Sequence, residues 1–452
     1  MNSPDIHRQE TEDAARPMRV ALKLHPFYRG KIQTAPRCPV RSLDDFAYWY
    51  TPGVAASCRA ITGNPDEVFR HTSRWNTVAV VSDGSRVLGL GDIGPEAALP
   101  VMEGKALIFK YLGGVDAVPL VISEKDPSRM IELVLAIQPS FGGINLEDIA
   151  QPKCFTVLDG LRAHASIPVW HDDQQGTATV ILAGLTNALR IVGKKLCDVR
   201  IVFVGSGASN TAAARLIFAR GADPGRCLVV DSKGILGTHR RDIYERRKAY
   251  AIKWHLCGQT NREGRRGGIA EALEGADVLI ACSRPGPGTV RPEWIHRMAD
   301  GAIVFACANP VPEIWPWEAR EAGAAVVATG RSDFPNQVNN SLGFPGIFRG
   351  TLDVQSRSIT DTMCFAAADA LADYARDRGL EPDHILPTME DWEVFVEEAA
   401  AVGTQACREG LARTPRCADE LRASARELIR NARHMAGTLM AEGLIAPPPA
   451  ED

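Results

Sequence analysis

The chain has 452 residues, of which 45% are hydrophobic, 23% charged and 6% aromatic. That length corresponds to about three domains, or two large ones, with ample core. With 51 Lys+Arg against 55 Asp+Glu the formal net charge is −4. This excludes the broad basic surface that nucleic acid or an anionic membrane requires. The ordinary apolar content excludes disorder of the chain as a whole. The 11 cysteines are an odd number with no C-x-x-C spacing, so neither a disulfide framework nor a structural zinc site is expected. No apolar run reaches the ~18 residues that span a bilayer, and the N-terminus lacks a signal-peptide core. A soluble, cytoplasmic protein with reduced thiols is expected, with no nucleic-acid or membrane partner.

Residues 1–18 read as a flexible leader. Beyond it, Thr77–Ser82, 87–90 and 117–122 read as strands, and 104–112 and Pro127–Ile137 as helices, separated by glycine-rich joints. Pro168-Val169-Trp170 leads into a long apolar helix, Thr177–Val192, whose start is set up by the polar residues 171–176. The rhythm then becomes strand–helix–strand. Segment 200–204 (RIVFV) is a buried strand, 212–220 a helix and 227–230 the next strand, ending at Asp231. Val278–Ala281, Ile303–Ala306 and 325–328 follow as strands with helices between. Such alternation predicts a doubly wound, mostly parallel sheet. Residues 360–445, rich in Ala, Glu and Arg, read as helices, and 447–449 as a frayed end. The expected class is α/β. An N-terminal α/β domain spans 19–165 and a Rossmann-like dinucleotide-binding domain spans 166–360. A helical segment over 361–452 packs back on the body.

Four constellations carry chemistry. Gly205-Ser206-Gly207-Ala208-Ser209-Asn210 follows a strand and opens a helix, where glycines admit a pyrophosphate to the free N–H groups of the helix start. Asp231 at the end of the next strand suits a ribose 2′-hydroxyl, whereas Lys233 is near enough to meet a 2′-phosphate. The third glycine is replaced by Asn210, so looser strand–helix packing is expected. The second constellation is acidic: Glu147-Asp148 and Asp172-Asp173 both lie at element edges beside residues that should bury. Burying such a cluster implies a compensating cation, and hard oxygen ligands suit Mg²⁺ or Mn²⁺. Asp173 reads equally as an N-cap of the helix that follows. The third pairs Tyr50 with Lys105, an acid and a base if their surroundings draw them toward neutrality, or otherwise a core aromatic and a solvated lysine. The fourth comprises Asn309, after a strand end, and Asn339-Asn340. Their amides suit carboxylates, although Asn-Pro and Asn-Asn also favour plain turns.

Taken together these segments resemble the malic enzyme family, in particular its shorter bacterial and archaeal type. The resemblance runs from Tyr50 to about residue 360. It rests on YTPGVA (50–55), VVSDGSRVLGLGDIGPEAALPVMEGK (80–105), GGINLEDI (142–149), IPVWHDDQQGTA (167–178), GSGAS (205–209), VFACANPVPEI (304–314) and ATGRSDFPNQVNNSLGFPGIFRG (328–350). It implies oxidative decarboxylation of (S)-malate to pyruvate and CO2, with reduction of NAD or NADP and a divalent Mg²⁺ or Mn²⁺. By that resemblance the tyrosine acid falls on Tyr50 and the lysine base on Lys105. The metal carboxylates fall on Glu147, Asp148 and Asp173, and the aspartate that tunes the lysine on Asp172. Malate-binding asparagines fall on Asn309, Asn339 and Asn340. Arg86 stands where larger members carry a substrate-binding arginine. The dinucleotide would meet Gly205, Gly207, Ala208, Ser209, Asn210, Asp231 and Lys233, with Thr177 and Asn309 adjoining. The resemblance also implies a homodimer. Gln175 departs from a histidine common in bacterial members. Rival readings are conversion of malate to lactate on bound NAD, another 2-hydroxy acid on the same scaffold, and a non-catalytic nucleotide-binding relative.

Overall fold

The computed structural model describes the backbone of residues 3–450 and the side chains of residues 15–450. The first sheet contains β1 (Thr77–Ser82), β2 (Asp116–Val121), β3 (Gly143–Leu146) and β4 (Val169–His171), in the order β2-β1-β3-β4, all parallel. Every residue of β1 (TVAVVS) is buried, as befits a parallel strand covered on both faces. The second sheet contains β5 (Ile201–Val204), β6 (Leu228–Asp231), β7 (Gly234–Ile235), β8 (Val278–Ala281), β9 (Ile303–Ala306) and β10 (Val326–Thr329). Its order is β10-β9-β8-β5-β6-β7, parallel except for the short β7. In each sheet the strand order reverses beside the first strand, between β1 and β3 and between β5 and β8. Such reversals leave a crevice at the carboxyl ends.

The helices of ten residues or more are α1 (Ser3–Tyr28), α2 (Val54–Gly63), α3 (Pro95–Gly113), α4 (Pro127–Ile137), α5 (Lys153–His164), α6 (Thr177–Val192), α7 (Ala208–Ala219), α8 (Phe344–Asp353), α9 (Asp361–Arg376), α10 (Val394–Arg408) and α11 (Ala418–Ala441). Local chemistry sets their ends. Pro127 opens α4 where its missing N–H is harmless, and Asp126 accepts hydrogen bonds from Ser128 and Arg129 N–H at 3.0 and 3.1 Å. Gly193, with φ of 68°, closes α6 in the left-handed conformation.

One large core bridges the two sheets, joining Val78, Phe109 and Trp170 to Phe203, Ile280, Phe305, Phe344 and Phe395. Two smaller clusters cover the outer face of each sheet. The C-terminal helices return to the first sheet: α8 and α11 both pack on α3, while α9 lies on α6. Among the described residues no helix is long and apolar enough to cross a membrane.

Several elements differ from the sequence reading. Of the leader expected at 1–18, residues 1 and 2 and the side chains up to 14 lie outside the described residues, and from Ser3 the backbone is helical. Residues 87–90 are a tight loop instead of a strand. Val87 meets only Gly91, Leu88 sits at φ 46°, and no neighbouring edge is present to extend a ladder. The helix read at 104–112 begins earlier, at Pro95, because Pro100 lies within it and does not break it. The helix read at 212–220 likewise begins at the glycine loop itself, at Ala208.

Candidate active site

Glu147 and Asp148 immediately follow β3, and Asp172 and Asp173 immediately follow β4 on a π-helical turn, Asp172–Gly176. Because β3 and β4 are parallel neighbours, their carboxyl ends bring the two acidic pairs side by side. One ligand atom from each of Glu147, Asp148 and Asp173 lies within 4.8 Å of the others. Asp148 takes φ 55°, a left-handed conformation that aspartate tolerates, and its N–H donates to Asp173 Oδ2 at 2.8 Å. Burial, together with mutual repulsion, drives these carboxyls upward. Glu147 rises well above the carboxylate range, and Asp148 is pushed to about 8, first by burial and then by Asp173. Asp173 rises as well, chiefly by burial, and Lys105, the Asp148 N–H and Arg86 partly offset this. Asp148 Oδ2 is buried without a hydrogen-bond partner. Three crowded oxygen ligands with an orphaned buried acceptor fit a hard divalent cation such as Mg²⁺ or Mn²⁺.

Lys105 projects from α3 into the same pocket. Its Nζ is 2.5 Å from Asp172 Oδ2 and 3.0 Å from Glu147 Oε1, and it stands 4.3 Å over the Phe344 ring. Burial alone would lower its pKa, but Asp172 and Glu147 outweigh that and hold it above the usual lysine range. Asp172 also accepts from Trp170 Nε1 at 3.0 Å. A Cβ on Gly176 would collide with Asp172 and crowd Asn340, so this turn requires glycine.

His171 did not stand out in the sequence beyond its place in a polar run. It is fully buried, burial lowers it to about 4, and its Nδ1 is 3.7 Å from Asp173 Oδ2. Both ring nitrogens lack hydrogen bonds. A second unforeseen feature fixes the loop that carries Arg86. Buried Asp83 accepts from Ser85 and pairs with Lys153, and Ser85 Oγ accepts from Ala150 N–H at 2.9 Å. The only sequence signal for this anchorage is the Asp-Gly-Ser turn itself. Arg86 is exposed on that loop. Gly89, near the loop's tip, abuts the second sheet, where an added Cβ would lie 2.6 Å from Pro285 and 2.9 Å from Asn309 O.

The glycine loop lies at the reversal point of the second sheet. Gly205 has φ 101°, and a Cβ there would be 2.5 Å from Cys282 O, so only glycine fits. Gly207 faces open space, and Ala208 and Ser209 begin α7. That helix packs on the turn carrying Asp172 and Asp173, close to Thr177 at the start of α6. The dinucleotide crevice and the acidic pocket are therefore contiguous.

Four sequence expectations need correction. Asn210 does not loosen the strand–helix packing, nor does its amide face the crevice. It is buried and donates to Val204 O at 2.7 Å and Gly205 O at 3.0 Å, tying the loop to its own strand. Asp231 is not a free ribose acceptor. Arg240 donates to both its oxygens at 2.9 and 3.0 Å, Lys253 reaches Oδ2 at 2.6 Å, and Lys233 N–H donates to Oδ1 at 2.9 Å. A carboxylate has about four lone-pair sites, and these four donors fill them. Asn339 caps the following turn, accepting from Ser341 N–H at 3.0 Å while its amide donates to Gly330 O at 2.9 Å, so much of its polar capacity is used. Lys233 is exposed, 3.4 Å from Asp242. Asn340 borders the pocket through Gly176, and Asn309 lies against Gly330 and the Gly89 loop. Tyr50 is not brought to Lys105. It is 70% exposed, on a surface segment with Leu43, Phe46, Tyr48 and Trp49.

A carboxylate trio with a buried lysine, contiguous with a glycine-rich helix start at a parallel-sheet reversal, defines a two-lobed dinucleotide-dependent oxidoreductase with a divalent-cation site. Family models agree on both lobes: residues 29–128 match the malic enzyme N-terminal domain and residues 174–407 the malic enzyme NAD-binding domain. A NAD-dependent malic enzyme of Geobacillus stearothermophilus is 47% identical over 385 residues, covering 85% of this chain and 78% of the relative. A bifunctional malic/malolactic enzyme of Bacillus subtilis is 43% identical over 410 residues, covering 90% and 97%. The crystal structure of Entamoeba histolytica malic enzyme superposes with a TM-score of 0.94 at 50% identity, covering 98% of this chain and 92% of that one. The chain belongs to the malic enzyme family.

Proposed function

We propose that the chain catalyses the oxidative decarboxylation of (S)-malate to pyruvate and CO2 with reduction of NAD or NADP. The observation that carries this reading is the convergence of Glu147, Asp148 and Asp173 beside the Lys105–Asp172 pair, next to the Gly205 crevice. Residues 19–165 with the turn after β4 are assigned to malate and the cation, 166–360 to the dinucleotide, and 361–452 to a supporting helical layer.

Glu147, Asp148 and Asp173 would hold Mg²⁺ or Mn²⁺, which would supply Lewis-acid chemistry to the substrate. Gly205, Gly207 and the start of α7 would hold NAD or NADP, which would supply the hydride acceptor for C2. Lys105 takes the proton of the C2 hydroxyl. Burial favours its neutral amine, and what keeps the proton on it is Asp172 and Glu147. A cation held by Glu147 would loosen that hold on the proton, while Asp172 keeps the Lys105 amine in place. Arg86, on its anchored loop, binds a substrate carboxylate, and Asn309 and Asn340 bracket the substrate from the second lobe. Tyr50 returns a proton to C3 after CO2 leaves.

The outward position of Tyr50 goes together with a homodimer. Leu43, Phe46, Tyr48, Trp49 and Val54 form an exposed apolar face, and such faces mark interaction surfaces. Pairing through it would carry Tyr50 toward a second copy's pocket. The 11 free cysteines suit a reducing cytoplasm. The test is absorbance at the NADH band with malate and Mn²⁺, with product analysis. Pyruvate together with NADH supports the reading, lactate without net NADH supports the malolactic alternative, and no turnover of malate overturns both.

A further inference from the structure

Cys282 and Cys307 are the residues that follow β8 and β9. Those strands pair in parallel with Ala281 opposite Ala306, so the two cysteines are the next pair in register, and Cys307 N–H still donates to Ala281 O at 2.8 Å. Both side chains point to the same face. Val278 and Ile280 of β8, and Ile303 and Phe305 of β9, enter the bridging core, and both cysteines pack against it, whereas Leu279, Ala281, Val304 and Ala306 face the outer cluster. Neighbouring parallel strands lie about 4.8 Å apart, inside the Cα window of about 4.4–6.8 Å that a disulfide accepts. Both residues are half-buried. Neither serves the reaction described above.

Their surroundings couple them to both ligands. The Gly205 turn rests directly on the Cys282 carbonyl. Buried Glu313 staples the two loops that follow the cysteines, accepting from Ser283 N–H at 2.7 Å and Ser283 Oγ at 2.9 Å through one oxygen, and from Ala308 N–H at 3.0 Å through the other. Asn309 is the next residue. A bond between the two sulfurs would lock both loop starts to each other, and with them the floor under the glycine loop.

We propose that Cys282 and Cys307 form a reversible dithiol–disulfide pair at the dinucleotide crevice, oxidised by low-molecular-weight disulfides, and that closing the bond weakens dinucleotide binding. The second half rests on the function proposed above; the first does not. Contact with Cys282, burial and nearby Glu313 all push the Cys307 thiol well above its usual range. Cys307 therefore stays protonated, and Cys282 attacks first. Its thiolate takes one sulfur of the reagent and releases one thiol. Cys307 then attacks the Cys282 sulfur, giving up its proton and releasing the second thiol. Two electrons pass to the reagent, and both protons end on the released thiols.

The test treats the full-length protein with oxidised glutathione, maps its tryptic peptides, and measures NADH binding by fluorescence. The expected result is a peptide pair joined through Cys282 and Cys307, two hydrogens lighter, with at least a tenfold loss of NADH affinity that dithiothreitol reverses. Cys307→Ala and Cys282→Ser should keep their affinity under the same treatment. Recovery of both cysteines as free thiols, while exposed Cys58, Cys197 and Cys417 are glutathionylated, overturns the pair. A joined pair with unchanged affinity overturns the control of binding, and equal loss in wild type and both variants assigns the effect to the surface thiols. If the reduced protein binds no NADH, the functional reading fails, and the peptide map still decides the pair.

Discussion

Replacing Asp148 with asparagine tests the acidic pocket most sharply, because stability and metal binding should move in opposite directions. Asp148 is buried, and its carboxyl is raised from 3.8 to about 8 in the ion-free protein. Below pH 3.8 folded and unfolded chains both hold the proton. Between 3.8 and 8 the unfolded chain releases it while the folded chain retains it, so stability falls as pH rises, by about 1.4 kcal/mol per pH unit. At pH 7 this amounts to an upper bound of about 4 kcal/mol carried by one side chain. Asparagine has the same shape, tolerates the left-handed backbone at this position and cannot ionise. Asp148→Asn should therefore melt above wild type in EDTA at pH 7, by up to about 4 °C for a chain of this size, and the difference should vanish near pH 4. Mn²⁺ should raise the wild-type melting temperature and leave the variant almost unmoved. Thermal unfolding at several pH values, with EDTA or with Mn²⁺, reads both effects. A variant that melts below wild type in EDTA at pH 7, or that gains as much from Mn²⁺, would refute the reasoning.

Further outcomes follow from the same geometry. Lys105→Ala should abolish malate oxidation while Mn²⁺ still binds by calorimetry; substantial residual turnover would remove Lys105 as the base. Mixing inactive Tyr50→Phe with inactive Lys105→Ala, after unfolding and refolding together, should restore activity that neither has alone; no recovery argues against a site shared between two copies. Gly89→Val, whose side chain would meet Pro285 and Asn309 O, should raise KM for malate with little change in melting temperature, and unaltered kinetics would show that the lobes need not touch there. Glu398 is fully buried on α10 against the Gly346 backbone, and burial pushes it well above the carboxylate range. Glu398→Gln should therefore be tolerated at neutral pH and should flatten the loss of stability as pH rises; strong destabilisation at pH 7 would mean the carboxyl is charged.

The acidic pairs could be read from sequence because each sits within two residues of an apolar strand, and strand ends in a parallel sheet share one side. The glycine loop was readable for the same reason: strand, turn and helix are local. Lys105 and Tyr50 came from family resemblance, since a lone lysine in a helix and a tyrosine beside tryptophan carry no spacing signal. What escaped detection depends on long-range pairing. The four donors on Asp231 come from residues up to Lys253, the staple on Glu313 joins two loops, and the inward turn of Asn210 depends on the carbonyls of β5. Residues 87–90 misled because an apolar alternating run resembles a strand wherever no partner edge is known.

The polypeptide crosses between the two lobes repeatedly: out through the turn from β4 into α6, back through α8 on α3, out again through α9 on α6, and back once more through α11 on α3. The first crossing carries Asp172 and Asp173, and α8 carries Phe344 beneath the Lys105 ammonium. With one core shared between the sheets, these crossings join the halves like a seam stitched several times over. The reacting groups sit on the stitches, where displacement of the outer surfaces reaches them least.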